Sequence, residues 1–155
     1  SNFIIAREVL FQPLLDEKRI RGENIHPFVY TEDIEKDLKK YNEDFKKISS
    51  KFDILILSSG EDGHIASIFP NSSSIKEKFK GFISVKDSPK PPLQRMSASL
   101  DLIKDTELVV TLFLGETKRK ALTNLLNKKI KLENCPAKIV EKVKESYILT
   151  DLNLN

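Results

Sequence analysis

The run Leu108–Leu114 is apolar on both of its alternating faces, with Thr111 the exception, and this pattern belongs to a strand covered on both sides in a parallel sheet. A second apolar run, Phe52–Leu57, leads directly into Ser58-Ser59-Gly60-Glu61-Asp62-Gly63-His64. A strand there delivers the chain into a turn of glycines and polar side chains. Gly81–Val85 and Tyr147–Leu149 read as two further short strands, and helical patterns separate the apolar runs. Strands alternating with helices imply an α/β fold built on an open, mostly parallel sheet flanked by helices.

The clearest helix follows Thr31, which reads as its N-cap, with Glu32 and Asp33 in the first turn. Ile34, Leu38, Tyr41, Phe45 and Ile48 fall at steps of four and three, so they form one apolar stripe opposite a charged face. Residues 3–10 suggest a short helix closed by Pro13, and Lys18–Glu23 a basic loop. Asn24–Tyr30 is a weak strand candidate interrupted by Pro27. Ile65, Ala66, Ile68 and Phe69 read as a helical turn or two before Pro70, with Ser72–Ser74 capping the next helix. Glu116–Leu126 is a helix candidate with Ala121, Leu122, Leu125 and Leu126 turned inward. Pro136 suits the first turn of another, running through Val143.

Composition narrows the function classes. At 155 residues the chain suits one compact domain. No apolar stretch approaches the roughly 20 residues that span a bilayer, so no membrane role is expected. The 26 basic and 23 acidic residues leave a charge of +3, and the two signs are interleaved. That is little beside the basic footprint of a nucleic-acid binder. A single cysteine, Cys135, excludes an internal disulfide framework and a thiolate-rich metal site, and a reducing, cytoplasmic setting is expected.

The chemistry concentrates in the Gly-Glu-Asp-Gly-His loop. Ligands in open α/β sheets bind beyond the carboxyl ends of the strands, where this loop lies. Gly60 and Gly63 allow a tight turn and close backbone approach to a ligand. Asp62 and His64, two positions apart, suit a turn that aims both at one cavity. A histidine accepts a proton near neutral pH, and an aspartate beside it fixes the tautomer and stabilises the imidazolium. The alternative is a plain turn with a surface histidine. The two histidines and one remote cysteine lack zinc-ligand spacing, and the serines lack a nucleophile elbow or a phosphate-binding glycine loop. No metal is expected.

A second informative segment, Lys86-Asp87-Ser88-Pro89-Lys90-Pro91-Pro92-Leu93-Gln94-Arg95, is stiffened by its prolines and would hold Lys90 and Arg95 in fixed directions. Arginine offers a bidentate fork for phosphate or carboxylate, and lysine a mobile point charge. Lys118 lies early in the helix after the Leu108–Leu114 strand, where free amides favour an anion. Solvated surface charges are the competing reading for all three. Together the segments fit a neutral base beside a cationic pocket, which suits a phosphorylated sugar derivative better than a long polymer.

The chain resembles the 6-phosphogluconolactonase family, within the group that includes glucosamine-6-phosphate isomerase/deaminase. The resemblance runs from Ser1-Asn2-Phe3 and Ala6-Arg7-Glu8 through Phe52–Leu57 and Gly60-Glu61-Asp62-Gly63-His64-Ile65-Ala66-Ser67-Ile68-Phe69-Pro70. It continues in Ser88-Pro89-Lys90-Pro91-Pro92-Leu93-Gln94-Arg95, Gly115-Glu116-Thr117-Lys118, Pro136-Ala137 and Tyr147-Ile148-Leu149-Thr150-Asp151. Related deaminases follow Asp-Gly-His with Ala-Phe-Asn-Glu-Pro, so Ala66–Pro70 points to the lactonase side.

The resemblance implies a Rossmann-like fold and hydrolysis of 6-phospho-D-glucono-1,5-lactone in the oxidative pentose phosphate pathway, without cofactor or metal. It implies His64 as the general base, Asp62 in the same catalytic loop, and Gly60, Gly63, Lys90, Arg95 and Lys118 at the phosphosugar site. Residues 1–155 are expected to be the carboxyl-terminal portion of a single such domain. The amino-terminal part of the family domain would supply the opening strands, a Ser-Gly-Gly phosphate loop and an Asp-Glu-Arg segment, and it is an expected partner of this chain. Fusion to, or association with, glucose-6-phosphate dehydrogenase is a further partner expectation. Family members commonly carry glycine where Ser58 stands, and a side chain there is expected to restrict the turn. A deaminase-like enzyme, or an inactive sugar-phosphate-binding or interaction domain, is the alternative function.

Overall fold

In the computed structural model, which describes residues 2–153, the doubly apolar run becomes the central strand of a parallel sheet. Strand β1 is Ile54–Ser58, β4 is Leu108–Phe113 and β5 is Glu145–Thr150, in the order β1-β4-β5. Ile54 pairs with Leu108 and Ser58 with Leu112, and on the other side Leu108 pairs with Glu145. A separate antiparallel ribbon joins β2 (Phe82–Val85) to β3 (Arg95–Ala98). The fold is therefore α/β, with parallel and antiparallel strands flanked by helices. β3 carries no strand pattern of its own in the sequence, and the connection between β2 and β3 is the proline-rich loop. The Pro91–Pro92 peptide is cis.

The chain divides into two compact units, Ser1–Glu32 and Asp33–Asn155. In the first, α1 (Asn2–Ala6), a π-helical turn (Arg7–Phe11) and α2 (Gln12–Asp16) follow without a break. Pro13 thus does not close the helix. The Gln12 N–H reaches back to the Arg7 carbonyl, and Pro13 opens α2, where a missing N–H matters least. Residues 25–30 form no ladder, in contrast to the expected strand, and Pro27 has no N–H to give one. Ser1 of the Ser1-Asn2-Phe3 motif lies outside the described residues.

The second unit opens with α3 (Ile34–Ile48), capped by Asp33 rather than Thr31: the Lys36 N–H donates to the Asp33 carboxylate at 3.1 Å. Glu32 has φ 71°, so the backbone turns left-handed there and a helix cannot begin before it. Leu38 is buried, and Tyr41 and Phe45 pack on Phe82 with ring centroids 4.7 and 5.5 Å apart. Ile48, by contrast, is exposed. The Asn42 side chain behaves like a short strand against β2: it accepts from the Phe82 N–H and donates to the Phe82 carbonyl, both at 2.8 Å.

Helix α4 (Leu100–Lys104), likewise not expected from the sequence, is capped by Ser99, whose hydroxyl accepts from the Leu102 N–H. Helix α5 (Arg119–Leu126) buries Ala121, Leu122 and Leu125 but leaves Leu126 exposed. Pro136–Lys142 is helical from its proline, as 3-10 turns. The core gathers Ile65, Ile68, Val85, Ile103, Val109, Phe113, Leu122 and Leu125 around the inner face of the sheet. The opposite face is open, with Ile54 and Ile56 of β1 exposed to 64% and 67% and β5 exposed along most of its length. Among the described residues no helix is long and apolar enough to cross a membrane.

Candidate active site

The end of β1 sets the geometry. Ser58 is extended strand, so its side chain does not restrict the turn, contrary to expectation; the reversal occurs later. The Gly63 N–H donates to the Gly60 carbonyl at 3.0 Å and the Gly60 N–H to the His64 carbonyl at 2.9 Å. Gly63 has φ +87°, a left-handed conformation that side chains resist, and a Cβ there would lie 2.8 Å from the Cys135 sulfur. A Cβ on Gly60 would collide with the His64 ring. Both glycines are therefore needed for the histidine to fold back over the loop.

The loop then fixes its own acid–base pair. Oδ1 of Asp62 lies 2.6 Å from Nδ1 of His64 and accepts the His64 backbone N–H at 3.1 Å. Burial disfavours the charged carboxylate, but these two bonds from His64 outweigh it and hold the Asp62 carboxyl below its usual value. With Asp62 ionised, the proton of a neutral imidazole resides on Nδ1, and Nε2 keeps its lone pair. The imidazole retains 23% of its side-chain surface.

Residues 65–69 are not helical. Ile65 and Ile68 bridge to one another through paired backbone bonds, and Ala66 sits at φ 51° in the tight turn between them. This bridge buries both isoleucines completely and places the Phe69 ring 4.5 Å from the His64 ring. Phe69, only 3% exposed, in turn carries the Arg95 guanidinium, whose carbon lies 5.4 Å from the ring centroid. Sequence reasoning assigned Phe69 only to a helical turn; its spacing of five from His64 gave no signal once the helix was assumed.

The proline loop does hold its arginine rigidly, but by its own carbonyls. Arg95 Nε donates to the Pro92 carbonyl at 3.0 Å, and Nη2 donates to those of Lys90 and Pro91 at 2.8 and 3.2 Å. The Ser88 hydroxyl also donates to the Lys90 carbonyl, leaving the Lys90 side chain exposed on a braced backbone. Lys118 ends a 3-10 turn that leaves β4 through Gly115, and the Gly115 N–H donates to Asp151 at 2.8 Å. The loops after β1 and β4 thus emerge from the carboxyl ends of adjacent parallel strands, the ligand-binding rim of open α/β sheets. The structure joins His64 to Asp62, to Phe69 and, through Phe69, to Arg95. The hydrogen-bond partner of the imidazole among the described residues is Asp62, not Lys90 or Lys118.

Cys135, unassigned by the sequence, buttresses this loop. It is fully buried, and the Ala137 N–H beyond it donates to the Gly63 carbonyl at 3.0 Å. Burial pushes its thiol pKa up, which makes it an inert packing group. A cavity of about 530 Å³ opens elsewhere in the unit, between α3 and β2, floored by Leu38, Phe79 and Phe82. No group of three or more histidine, cysteine, aspartate or glutamate residues is placed to hold a metal ion among the described residues.

These features define an α/β protein with an Asp–His pair at the carboxyl end of a parallel sheet. A sequence profile of glucosamine-6-phosphate isomerases/6-phosphogluconolactonase matches residues 1–149. The 6-phosphogluconolactonase of Borreliella burgdorferi is 33% identical over 153 residues, covering 98% of this chain and 65% of that protein. The bovine 6-phosphogluconolactonase is 34% identical over 119 residues, covering 76% and 45%. The crystal structure of 6-phosphogluconolactonase from Thermotoga maritima superposes with a TM-score of 0.77 at 26% identity, covering 93% of this chain and 62% of that one. The chain belongs to the glucosamine-6-phosphate isomerase/6-phosphogluconolactonase family. It spans less than two thirds of the length of each of these three relatives.

Proposed function

We propose that this chain carries the acid–base half of a 6-phosphogluconolactonase active site, which hydrolyses 6-phospho-D-glucono-1,5-lactone to 6-phospho-D-gluconate. The observation behind this reading is the 2.6 Å contact between His64 Nδ1 and Asp62, which leaves Nε2 as the proton acceptor. Nε2 takes a proton from water as the water oxygen bonds to the lactone carbonyl carbon. Negative charge develops on the carbonyl oxygen, and the C–O bond to the ring oxygen then breaks as the proton on Nε2 passes to that oxygen. A positioned imidazole contributes roughly 10²–10⁴-fold to such a step. The imidazolium formed in between is stabilised by the Asp62 carboxylate. Lys90 and Lys118, on loops neighbouring His64, are the cations assigned to the substrate phosphate, and Gly60 and Gly63 admit the sugar to the backbone.

The same reading assigns the chain to the carboxyl-terminal part of a Rossmann-like family domain. Parallel sheets are covered on both faces. Here one face, bearing Ile54 and Ile56, is open, and the relatives carry length that this chain does not span. The remainder of the domain would cover that face and complete the phosphate site. The test is turnover of 6-phosphogluconolactone, with and without a polypeptide supplying that remainder. His64→Ala should abolish the turnover; activity unchanged by that substitution would remove His64 as the base, and ammonia release from glucosamine 6-phosphate would reassign the reaction.

A further inference from the structure

The best-connected side chain near the imidazole is one that no chemistry requires. Phe69 has no proton to give and no charge, yet its ring lies 4.5 Å from His64 at an interplanar angle of 45°. It also carries the Arg95 guanidinium. That guanidinium is itself immobilised, because Nε and Nη2 are engaged by three successive carbonyls of the proline loop. Arg95 opens β3, and two residues on, the Ser97 hydroxyl accepts the Ser67 N–H at 3.0 Å, which ties the segment before Phe69 to the same strand. The loop, the arginine, the ring and the imidazole therefore form one continuous stack on regular structure.

We infer that Phe69 is a positioning residue for His64 and that Arg95 acts on His64 through it. The carbonyls of Lys90, Pro91 and Pro92 clamp Arg95, Arg95 holds the Phe69 ring by its π-face, and the ring fixes the plane of the imidazole. Asp62 alone leaves the imidazole free to swing about its Nδ1 contact; a ring packed against it removes that freedom. The inference rests on the proposed lactone hydrolysis for its catalytic meaning. It assigns Arg95 a duty other than gripping the substrate phosphate.

The test uses the chain together with the polypeptide that supplies the remainder of the domain, with Arg95→Met, Phe69→Leu, their combination, and Phe69→Tyr as the conservative variant. Misplacing a catalytic group by about 1 Å can cost up to about 10²-fold in rate, so a loss of roughly tenfold in kcat is expected for Arg95→Met and for Phe69→Leu, with KM unchanged. Phe69→Tyr should keep the rate. The double variant should be no slower than Phe69→Leu, because Arg95 has no route to His64 once the ring is gone. A second readout needs no turnover: the carbon-bound imidazole proton signals of His64 in the NMR spectrum. Arg95→Met should shift these signals in the parent background and leave them unmoved in Phe69→Leu. A raised KM with unchanged kcat in Arg95→Met, multiplied losses in the double variant, or His64 signals indifferent to Arg95→Met would each overturn the inference. Absence of lactone turnover in every variant, parent included, counts against the proposed reaction, and the spectra then decide the stack by themselves.

Discussion

Oδ1 of Asp62 accepts two hydrogen bonds from the same partner: the His64 backbone N–H at 3.1 Å and the imidazole Nδ1–H at 2.6 Å. One carboxylate oxygen thus shapes the turn and selects the tautomer. Asp62→Asn keeps the size of the side chain but removes its charge, so the imidazolium loses its counter-ion. Lactone turnover at pH 7 should fall by roughly 10²-fold or more. The fold, followed by circular dichroism, should persist. Because the carboxyl is held below its usual value, the pair should survive acidification to below pH ~4.

Gly63 and Cys135 meet where the Gly60–His64 loop touches the 3-10 segment that opens at Pro136. A methyl group on Gly63 meets two obstacles, a φ of +87° and the Cys135 sulfur 2.8 Å from the new carbon. Gly63→Ala should destabilise the chain by about 1–3 kcal/mol in urea unfolding. Adding Cys135→Ala removes the sulfur and should recover part of that loss. It leaves the dihedral penalty in place, so recovery to the parent stability would show that the backbone conformation carries no strain.

Much of this arrangement was legible in the chain because single residues carried it. Val109, Thr111 and Phe113 are fully buried, but Leu108, Val110 and Leu112 on the other face are only partly buried, so the two-faced apolar run marked the strand's central place between parallel neighbours and not cover on both sides. The pairing of Asp62 with His64 was readable from a spacing of two within a glycine turn. What escaped depended on contacts distant in sequence or on backbone conformation. β3 is short and polar, and it becomes a strand only because β2 lies beside it. The Ile65–Phe69 segment has helical spacing, but its Ala66 is left-handed and its two isoleucines close a bridge instead. Arg95 read as a free fork because its three carbonyl acceptors belong to the loop it was expected to project from.

Thr111 departs from the apolar pattern of β4 at a measurable cost. Its hydroxyl is fully buried and has no hydrogen-bond partner among the described residues. Valine has nearly the same shape without the unsatisfied oxygen. Thr111→Val should therefore stabilise the chain by about 1–3 kcal/mol, read as a higher urea midpoint at unchanged slope. Destabilisation would mean that the hydroxyl has a partner, such as a buried water.

Glu107 ties together the starts of all three parallel strands, at the end of the sheet remote from His64. It precedes β4 and bonds Lys51, ahead of β1, and Lys144, ahead of β5, while its backbone links Phe52 and Glu145. The hydrogen bonds from Lys144 and Lys51 lower its carboxyl from 4.5 to about 2. A depressed carboxylate contributes stability in full above the unfolded value, and loses it as pH falls toward the folded one. Between pH ~4.5 and ~2 the unfolded chain binds a proton that the folded chain refuses, so stability should decline across that window. Asp44, lowered to about 2 by Lys40 and Lys47, adds to the lower part of the same decline. Glu107→Gln cannot take part in this linkage. Its stability, measured by urea unfolding from pH 6 to pH 2, should fall less steeply than that of the parent. High salt should narrow the difference, because these groups lie at the surface. Parallel curves for parent and variant would place the acid sensitivity in other carboxylates and leave the Glu107 side chain, though not its backbone, without a role in joining the strands.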